Sequence, residues 1–405
     1  MSESNPTLLF ASYHAYFDYS SGAALATRDL FEALAAHGWN CHVVCGPALD
    51  FQDGRGPAEV LHAHGIPHYL ERCAPPFGER YELFHFTHNG VTVSQYRPET
   101  FTPHQPVSQA AGVPFLDIVS RACERFRPDV VLTYGGPPLG AHLIRRVKRT
   151  GARVLFCLHN LDYYDRALFE GVDAVWVPSE FSRATYRDRL GIEAEVVPLP
   201  WDHARVRTEP SGPGHVTFVN PVPTKGSAWF VRIAREVSAR RGDIPFLVVE
   251  GRGRPEELGR LGLDLSGLST LRGMRSTPRP REFYALSRMV LVPSLCEDAY
   301  PRVGCEALTN GIPVLAARRG GLPEVLGGAG FLFDVPARYT EPARMAEVPT
   351  ADEVAPWVDA IERLWDDTAF YAEHRAQALD RARVWEPARL REGVETFFRR
   401  VAAPR

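Results

Sequence analysis

The chain has 405 residues, 45% of them hydrophobic and 23% charged, with 46 Lys and Arg against 49 Asp and Glu for a net charge of −3. That length accommodates two or three domains and a substantial core without covalent staples. The near balance of charge argues against a dedicated nucleic-acid binder, and the composition excludes collagen, coiled coil, disulfide scaffold and disordered chain.

In chain order, TLLFAS (7–12) predicts a strand, and Leu25, Leu30, Phe31 and Leu34 at helical spacing predict a helix over about 23–37. NCHVVCG (40–46), DVVLTYG (129–135), RVLFCL (153–158), DAVWVP (173–178) and AEVVPL (194–199) follow as strands rich in Val or Leu. GAHLIRRVKRT (140–150) and SEFSRATYRDRLG (179–191) lie between the later ones with helical patterns, and Ser179 is placed to cap the second. Near-continuous apolar strands alternating with helices predict a parallel sheet covered on both faces.

Residues 51–120 fit this alternation poorly, being crowded with Pro, aromatic and His residues. Six of the fourteen histidines lie between 62 and 104, and His62 and His64 alternate. No carboxylate or Cys completes a metal site at convincing spacing, so they read as surface or loop histidines. The stretch reads as an elaboration bordering a cleft. PWDHARVRTEPSGPG (200–214) then reads as a linker.

The alternation restarts with HVTFVN (215–220), a helix over about 226–240, FLVVEG (246–251), STLRGM (269–274), MVLVPS (289–294), a helix near 302–310 and PVLAA (313–317). The fold class is therefore α/β, with two consecutive doubly wound units. Such sheets bind ligands at the carboxyl ends of their strands. No run approaches the ~20 apolar residues of a membrane helix, and the N-terminus lacks a secretory signal pattern. The seven cysteines are scattered without a CxxC pair, as expected of reduced thiols in a cytoplasmic protein.

The segment from 293 to 324, PSLCEDAYPRVGCEALTNGIPVLAARRGGLPE, carries the chemistry. Pro301 opens a helical run that Gly311 ends. A helix start after a strand presents backbone N–H groups and partial positive charge, an anion site suited to phosphate. Glu306, one turn in, is placed to accept hydrogen bonds from paired hydroxyls, and Asp298 to reach another polyol. The same features also fit an ordinary strand–helix crossover.

This segment resembles the signature of the retaining, GT-B-fold glycosyltransferases of family 4: two acids with seven residues between them, then G-x-P-V and G-G-x-x-E. Here these are Asp298 and Glu306, then Gly311, Pro313 and Val314, then Gly320, Gly321 and Glu324. The resemblance implies two Rossmann-like domains facing each other across a cleft, with a C-terminal helix crossing back to the first. It implies that Glu306 binds the nucleotide ribose, that Asp298 or its neighbour Glu297 contacts the donor sugar, and that N–H groups of Arg302, Val303 and Gly304 hold the diphosphate. The first acid is usually Glu, and Pro301 stands where Gly is common.

VTFVNPVPTKGSAWF (216–230) is similar to the family's opening of the second domain, so Lys225 is expected on the diphosphate. The donor-site position five residues earlier, usually Arg, is Asn220. Arg252, Arg275 and Arg302 are candidates to replace that charge. SSGAALATRDLFEALAAHGW (20–39) resembles the Gly-rich first loop, of whose glycine pair only Gly22 is present. His159, ending LFCLHN, stands where the family often has a His near the donor sugar, and His14 and Asp18 are expected on the acceptor side. RVWEPARLREGVETFF (383–398) resembles the crossover helix, with Trp385 as a packing residue. The expected domains are 1–205, with the 51–120 elaboration, 206–383 and 384–405.

The implied reaction moves a sugar from a nucleoside diphosphate donor to an acceptor hydroxyl with retention. No Asp-x-Asp motif is present, so no metal or other cofactor is expected. Expected partners are the donor and a small-molecule, glycan or lipid-linked acceptor, with no nucleic acid. Membrane contact through RRVKRTGAR (145–153) is at most peripheral, a solvated helix end being the plainer reading, and a homodimer is compatible with the sequence. Ala, Arg, Gly and Pro usage points to a GC-rich bacterial genome. The alternative is a catalytically impaired nucleotide-sugar binder acting as partner of an active enzyme. A phosphorylase, epimerase or dinucleotide oxidoreductase fits less well, the last because no G-x-G-x-x-G follows the first strand.

Overall fold

The computed structural model describes residues 5–18, 21–49, 56–101, 107–212, 214–260 and 263–403. Ser20 of the first loop, His104 and Pro213 of the 200–214 stretch lie outside them. The chain forms two compact units, residues 1–201 with 387–405, and residues 202–386.

The first unit is built on nine strands: β1 (Thr7–His14), β2 (Asn40–Ala48), β3 (His68–Cys73), β4 (Tyr81–His88), β5 (Val91–Pro98), β6 (Val130–Thr133), β7 (Arg153–Cys157), β8 (Ala174–Val177) and β9 (Glu195–Val196). Their order is β3-β4-β5-β2-β1-β6-β7-β8-β9. The ladder from β5 through β9 is parallel, while β4 pairs antiparallel with both β3 and β5. Central strands are buried on both faces, as β6 and β7 show, because helices cover the sheet on either side.

Within the 51–120 stretch, read from sequence as an elaboration, residues 68–98 form three strands that extend the sheet. Of its histidines, expected as surface or loop residues, His62, His64 and His68 are exposed, and the described ones lie on or cap regular elements. His68, His85 and His88 lie in strands, His62 in the helix Pro57–Ala63, and His64 caps that helix. The signal was present in the dipeptide Asn89-Gly90 between two alternating runs. Both residues have positive φ (48° and 81°), the conformation a two-residue hairpin requires. The crowd of His and aromatic residues masked the period-2 burial of Val91, Val93 and Gln95.

The second unit holds β10 (His215–Val219), β11 (Phe246–Val249), β12 (Leu271–Met274), β13 (Ser287–Val292), β14 (Val314–Ala317) and β15 (Phe331–Phe333). They form one parallel sheet in the order β12-β11-β10-β13-β14-β15. The 200–214 stretch is not a bare linker. Asp202 caps a short helix, His203–Val206, whose Val206 is buried, and the Thr208 amide donates to Asn310 Oδ1 (2.9 Å).

The C-terminal helix Pro387–Ala402 belongs to the first unit. It buries Phe397 and Phe398 against Trp176, with ring centroids 5.8 and 6.0 Å apart, and Phe398 also meets Trp39 at 6.3 Å. Trp385 is not on that helix. It sits in a short 3₁₀ turn of the second unit, where its indole N–H donates to the Tyr300 hydroxyl (2.5 Å). Among the described residues no helix is long and apolar enough to cross a membrane.

Phe398 is fully buried. Phe398→Ala is expected to cost about 3–5 kcal/mol, from lost apolar contact and the cavity left behind. Urea denaturation followed by tryptophan fluorescence measures this, and a loss under 1 kcal/mol would mean the helix is not an integral part of the first core.

Candidate active site

In the second unit the site begins where β10 ends. Asn220 has φ 65°, a left-handed conformation that Asn tolerates better than most residues. Its Oδ1 accepts from the amides of Arg252 (2.8 Å) and Gly253 (3.3 Å). The side chain expected at a donor-site position therefore ties the turn after β10 to the turn after β11. Gly251 permits this approach, since a β-carbon there would lie 2.7 Å from the Asn220 side chain.

The next turn, Pro223–Lys225, is fastened to the strand end of β13. Thr224 O accepts from the amides of Leu295 (3.0 Å) and Cys296 (3.1 Å). Gly226 has φ 82°, and a β-carbon there would lie 2.0 Å from the Pro293 carbonyl oxygen. Only glycine allows that contact. It places Lys225 Nζ on Asp298 Oδ1 in a hydrogen-bonded ion pair. Ser294 Oγ donates to the other oxygen of Asp298 (3.3 Å).

The glycine pair at 320–321 supports the same loop from the far side. Gly320 has φ 53°, and a β-carbon there would lie 2.6 Å from the Asp298 nitrogen, while the Gly321 amide donates to Asp298 O (2.8 Å). The structure separates the two adjacent acids. Asp298 turns to Lys225, whereas Glu297 is exposed and faces Arg319 at 3.5 Å.

Burial is the largest single influence and pulls the Lys225 ammonium toward its neutral form, but the Asp298 charge, the Cys296 sulfur and the hydrogen bond to Asp298 together outweigh it and hold the pKa above the ordinary lysine value. Arg252 is close enough for its charge to oppose that effect. Among the three arginines expected to replace the charge missing at 220, Arg275 lies against Glu250 (3.6 Å) and Arg302 against Glu306 (3.0 Å). The charge of Arg252 reaches Lys225.

The helix Arg302–Thr309 starts at Pro301 without a side-chain cap. The Gly304 amide is already bonded to Pro301 O (3.0 Å), which leaves Arg302 and Val303 as the first-turn amides for an anion. Glu306 is 5% exposed. Arg302 Nε donates to its Oε1 (3.0 Å) and the Tyr284 hydroxyl to its Oε2 (3.1 Å). Burial, reinforced by the Glu306 charge, pushes the Tyr284 hydroxyl well above its usual range, so it stays a donor. Sequence reasoning missed Tyr284. Twenty-odd residues upstream of Glu306 and outside any motif, it could be found only by asking what satisfies a buried phenol.

In the first unit, His14 ends β1 and His159 follows β7. The structure brings both to Tyr134, just past β6, with ring centroids 5.3 and 5.0 Å away. Ser12 Oγ donates to Tyr134 O (2.9 Å) and contacts His14 Nδ1 (3.2 Å). Tyr134 was not singled out from sequence, although it closes a strand whose carboxyl end is where α/β sheets bind ligands. Asp18 is buried and accepts from the Ser21 amide (3.2 Å), and Ser21 caps the helix Gly22–Ala35. Gly22 is the first residue of that helix, and a β-carbon there would meet no atom within 4 Å.

Two doubly wound units with a lysine–aspartate pair and a capless helix start at the strand ends define a GT-B glycosyltransferase architecture. Residues 214–367 match the family described as glycosyl transferases group 1, and residues 21–201 match the glycosyl transferase 4-like domain. The chain belongs to the group 1 glycosyltransferases. A lipopolysaccharide 1,2-N-acetylglucosaminetransferase of Salmonella typhimurium is 26% identical over 209 residues, 46% of this chain and 55% of that protein. The chain thus matches about half the length of this curated relative. Among solved structures, Anabaena HepE in complex with UDP-glucose is similar at a TM-score of 0.67 and 16% identity, covering 98% of this chain and all of that one. Sucrose-phosphate synthase from Thermosynechococcus elongatus gives 0.68 at 17% identity, covering 98% and 99%. The pneumococcal O-GlcNAc transferase GtfA, solved with UDP and GlcNAc, gives 0.69 at 11% identity, covering 98% and 100%.

Gly226→Ala is expected to push the 223–226 turn off β13, because both the left-handed backbone and the Pro293 contact resist a side chain. A stability loss above about 1 kcal/mol in denaturant titration is expected. Wild-type stability would show that the turn has room.

Proposed function

We propose that this protein transfers a hexosyl group from a nucleoside diphosphate sugar to an acceptor hydroxyl, with retention of anomeric configuration and without a metal ion. The observation that carries this is the pairing of Lys225 with Asp298, with the charge of Arg252 close by. Without donor, Asp298 neutralises Lys225. When a diphosphate arrives, Lys225 exchanges one anion for another, and Asp298 is released to accept hydrogen bonds from sugar hydroxyls. As the sugar–phosphate bond breaks, negative charge grows on the leaving diphosphate, and Lys225 with the first-turn amides of Arg302 and Val303 stabilises it.

Glu306, held by Arg302 and Tyr284, is the proposed ribose ligand. Arg302 must then share or yield the carboxylate. His14 and His159, both packed against Tyr134, are the proposed acceptor- and sugar-side groups of the first unit. The relatives support a uridine nucleotide and a hexose or N-acetylhexosamine as the first donors to test, and a saccharide as acceptor. We place the protein in a bacterial cytoplasm, a reading its seven free cysteines support.

The deciding experiment is titration with UDP and UDP-sugars in a thermal-unfolding assay, followed by donor turnover with and without EDTA. A hundredfold excess over the dissociation constant is worth about 2.7 kcal/mol of added stability. Stabilisation by UDP and EDTA-insensitive turnover are expected. No response to any nucleotide would overturn the reading. Lys225→Ala should lower kcat by about 10²–10³ with the fold intact. Glu306→Gln and Tyr284→Phe should instead raise the donor KM severalfold, and full affinity in both would remove Glu306 from the ribose.

Because the Lys225 pKa is raised, its charge and the pair it makes persist below the unfolded value of about 10.4 and are lost only as pH rises above it. The kcat profile should therefore show no alkaline limb from this group below about pH 10. An alkaline limb near pH 8 that disappears in Lys225→Arg would show the lysine to be depressed instead.

A further inference from the structure

We propose that a groove on the first unit, between the helices Gln109–Phe126 and Leu139–Lys148, binds one anionic phospholipid, with its acyl chain on an apolar floor and its phosphate on Arg145 and Arg149. The groove has a volume of about 1050 Å³, at the upper end of ordinary ligand pockets. Its floor is aliphatic, made by Val107, Val113 and Leu116 on one side and Leu139 on the other. Gly112 keeps the bed open. A β-carbon there would lie 3.4 Å from Leu139 Cδ1 and 3.7 Å from Val107 Cγ1.

The rim is basic. The helix Leu139–Lys148 and the residue after it contribute His142, Arg145, Arg146, Lys148 and Arg149, against one acid, Glu170. Two of these cations are already matched, Arg146 by Asp117 (3.1 Å) and Lys148 by Asp173 (2.7 Å). Arg145 contacts His142 (3.1 Å), and among the described residues no carboxylate pairs with Arg145 or Arg149. Both are exposed.

The chemistry of the lining selects the occupant. Among the described residues no Phe, Tyr or Trp lines the groove, so it offers no broad stacking surface for a base or a sugar ring. No strand edge opens into it, so an extended peptide finds no backbone to pair with. An aliphatic floor beside two exposed guanidinium groups with no carboxylate partner among the described residues suits an acyl chain joined to a phosphate, which arginine holds through paired N–H donors. The surface that sequence reading left as a solvated helix end thereby becomes a lipid site. The inference does not depend on the transferase reading.

The test uses the full chain and sedimentation with phosphatidylglycerol or phosphatidylcholine vesicles. Binding to the first and not the second is expected. Arg145→Gln with Arg149→Gln should weaken it about thirtyfold, and Val113→Asp at least tenfold, with UDP-sugar binding unchanged in both. Both arginines are exposed, so the double variant should fold, and Val113→Thr replaces Val113→Asp if the latter does not. Dihexanoyl phosphatidylglycerol, free in solution, should raise the melting temperature where inorganic phosphate does not. Phosphatidylglycerol binding unchanged in the arginine variant would overturn the proposal. So would phosphate matching the lipid, which would leave an anion contact without a chain. A dimer that Val113→Asp converts to monomer would also overturn it, because a second copy would then occupy the groove.

Discussion

The site of the second unit depends on the ion pair between Lys225 and Asp298. A lysine and an aspartate partly withdrawn from water must either pair or pay a desolvation cost. Three glycines make the pairing possible by letting backbones meet where a β-carbon would collide. Gly226 brings the turn carrying Lys225 onto the end of β13, and Gly320 and Gly321 press the loop carrying Asp298 from the other side. The arrangement is a charged pair in which Asp298 keeps Lys225 protonated and oriented.

Glu306 follows the same logic one helical turn away. A carboxylate 5% exposed needs partners on both oxygens, and Arg302 and Tyr284 supply them. Arg302 is four residues back on the same helix, so local geometry accounts for it. Tyr284 comes from a different element and fixes the orientation from outside the motif. In the first unit Tyr134 plays the comparable part, bringing His14 and His159, which are far apart in sequence, to one ring.

Position 220 shows how a departure from a family pattern acquires a physical meaning. Where a cation is usual, Asn220 adopts a left-handed backbone and caps the amides of Arg252 and Gly253. The exchange removes one charge and ties down the turn that carries another, the Arg252 guanidinium, whose charge acts on Lys225. Spacing alone offered three arginines without ranking them. Two of them lie beside buried carboxylates, Arg275 at Glu250 and Arg302 at Glu306, while the charge of Arg252 acts on Lys225.

Local pattern by itself determined most of the architecture. The apolar runs and their helical spacers declared two parallel sheets, because the burial of a strand on both faces is written in consecutive residues. The acid pair at 298 and 306, the lysine at 225 and the Gly-Gly loop were legible as a motif, because the helix start and its turns are short-range structures. Tertiary structure alone decided which of Glu297 and Asp298 faces the lysine, that Tyr284 meets Glu306 and Tyr134 meets His14 and His159, and that residues 68–98 complete a nine-stranded sheet. Those outcomes depend on contacts between residues tens of positions apart. Such contacts follow from packing and charge pairing in three dimensions, which no local period records.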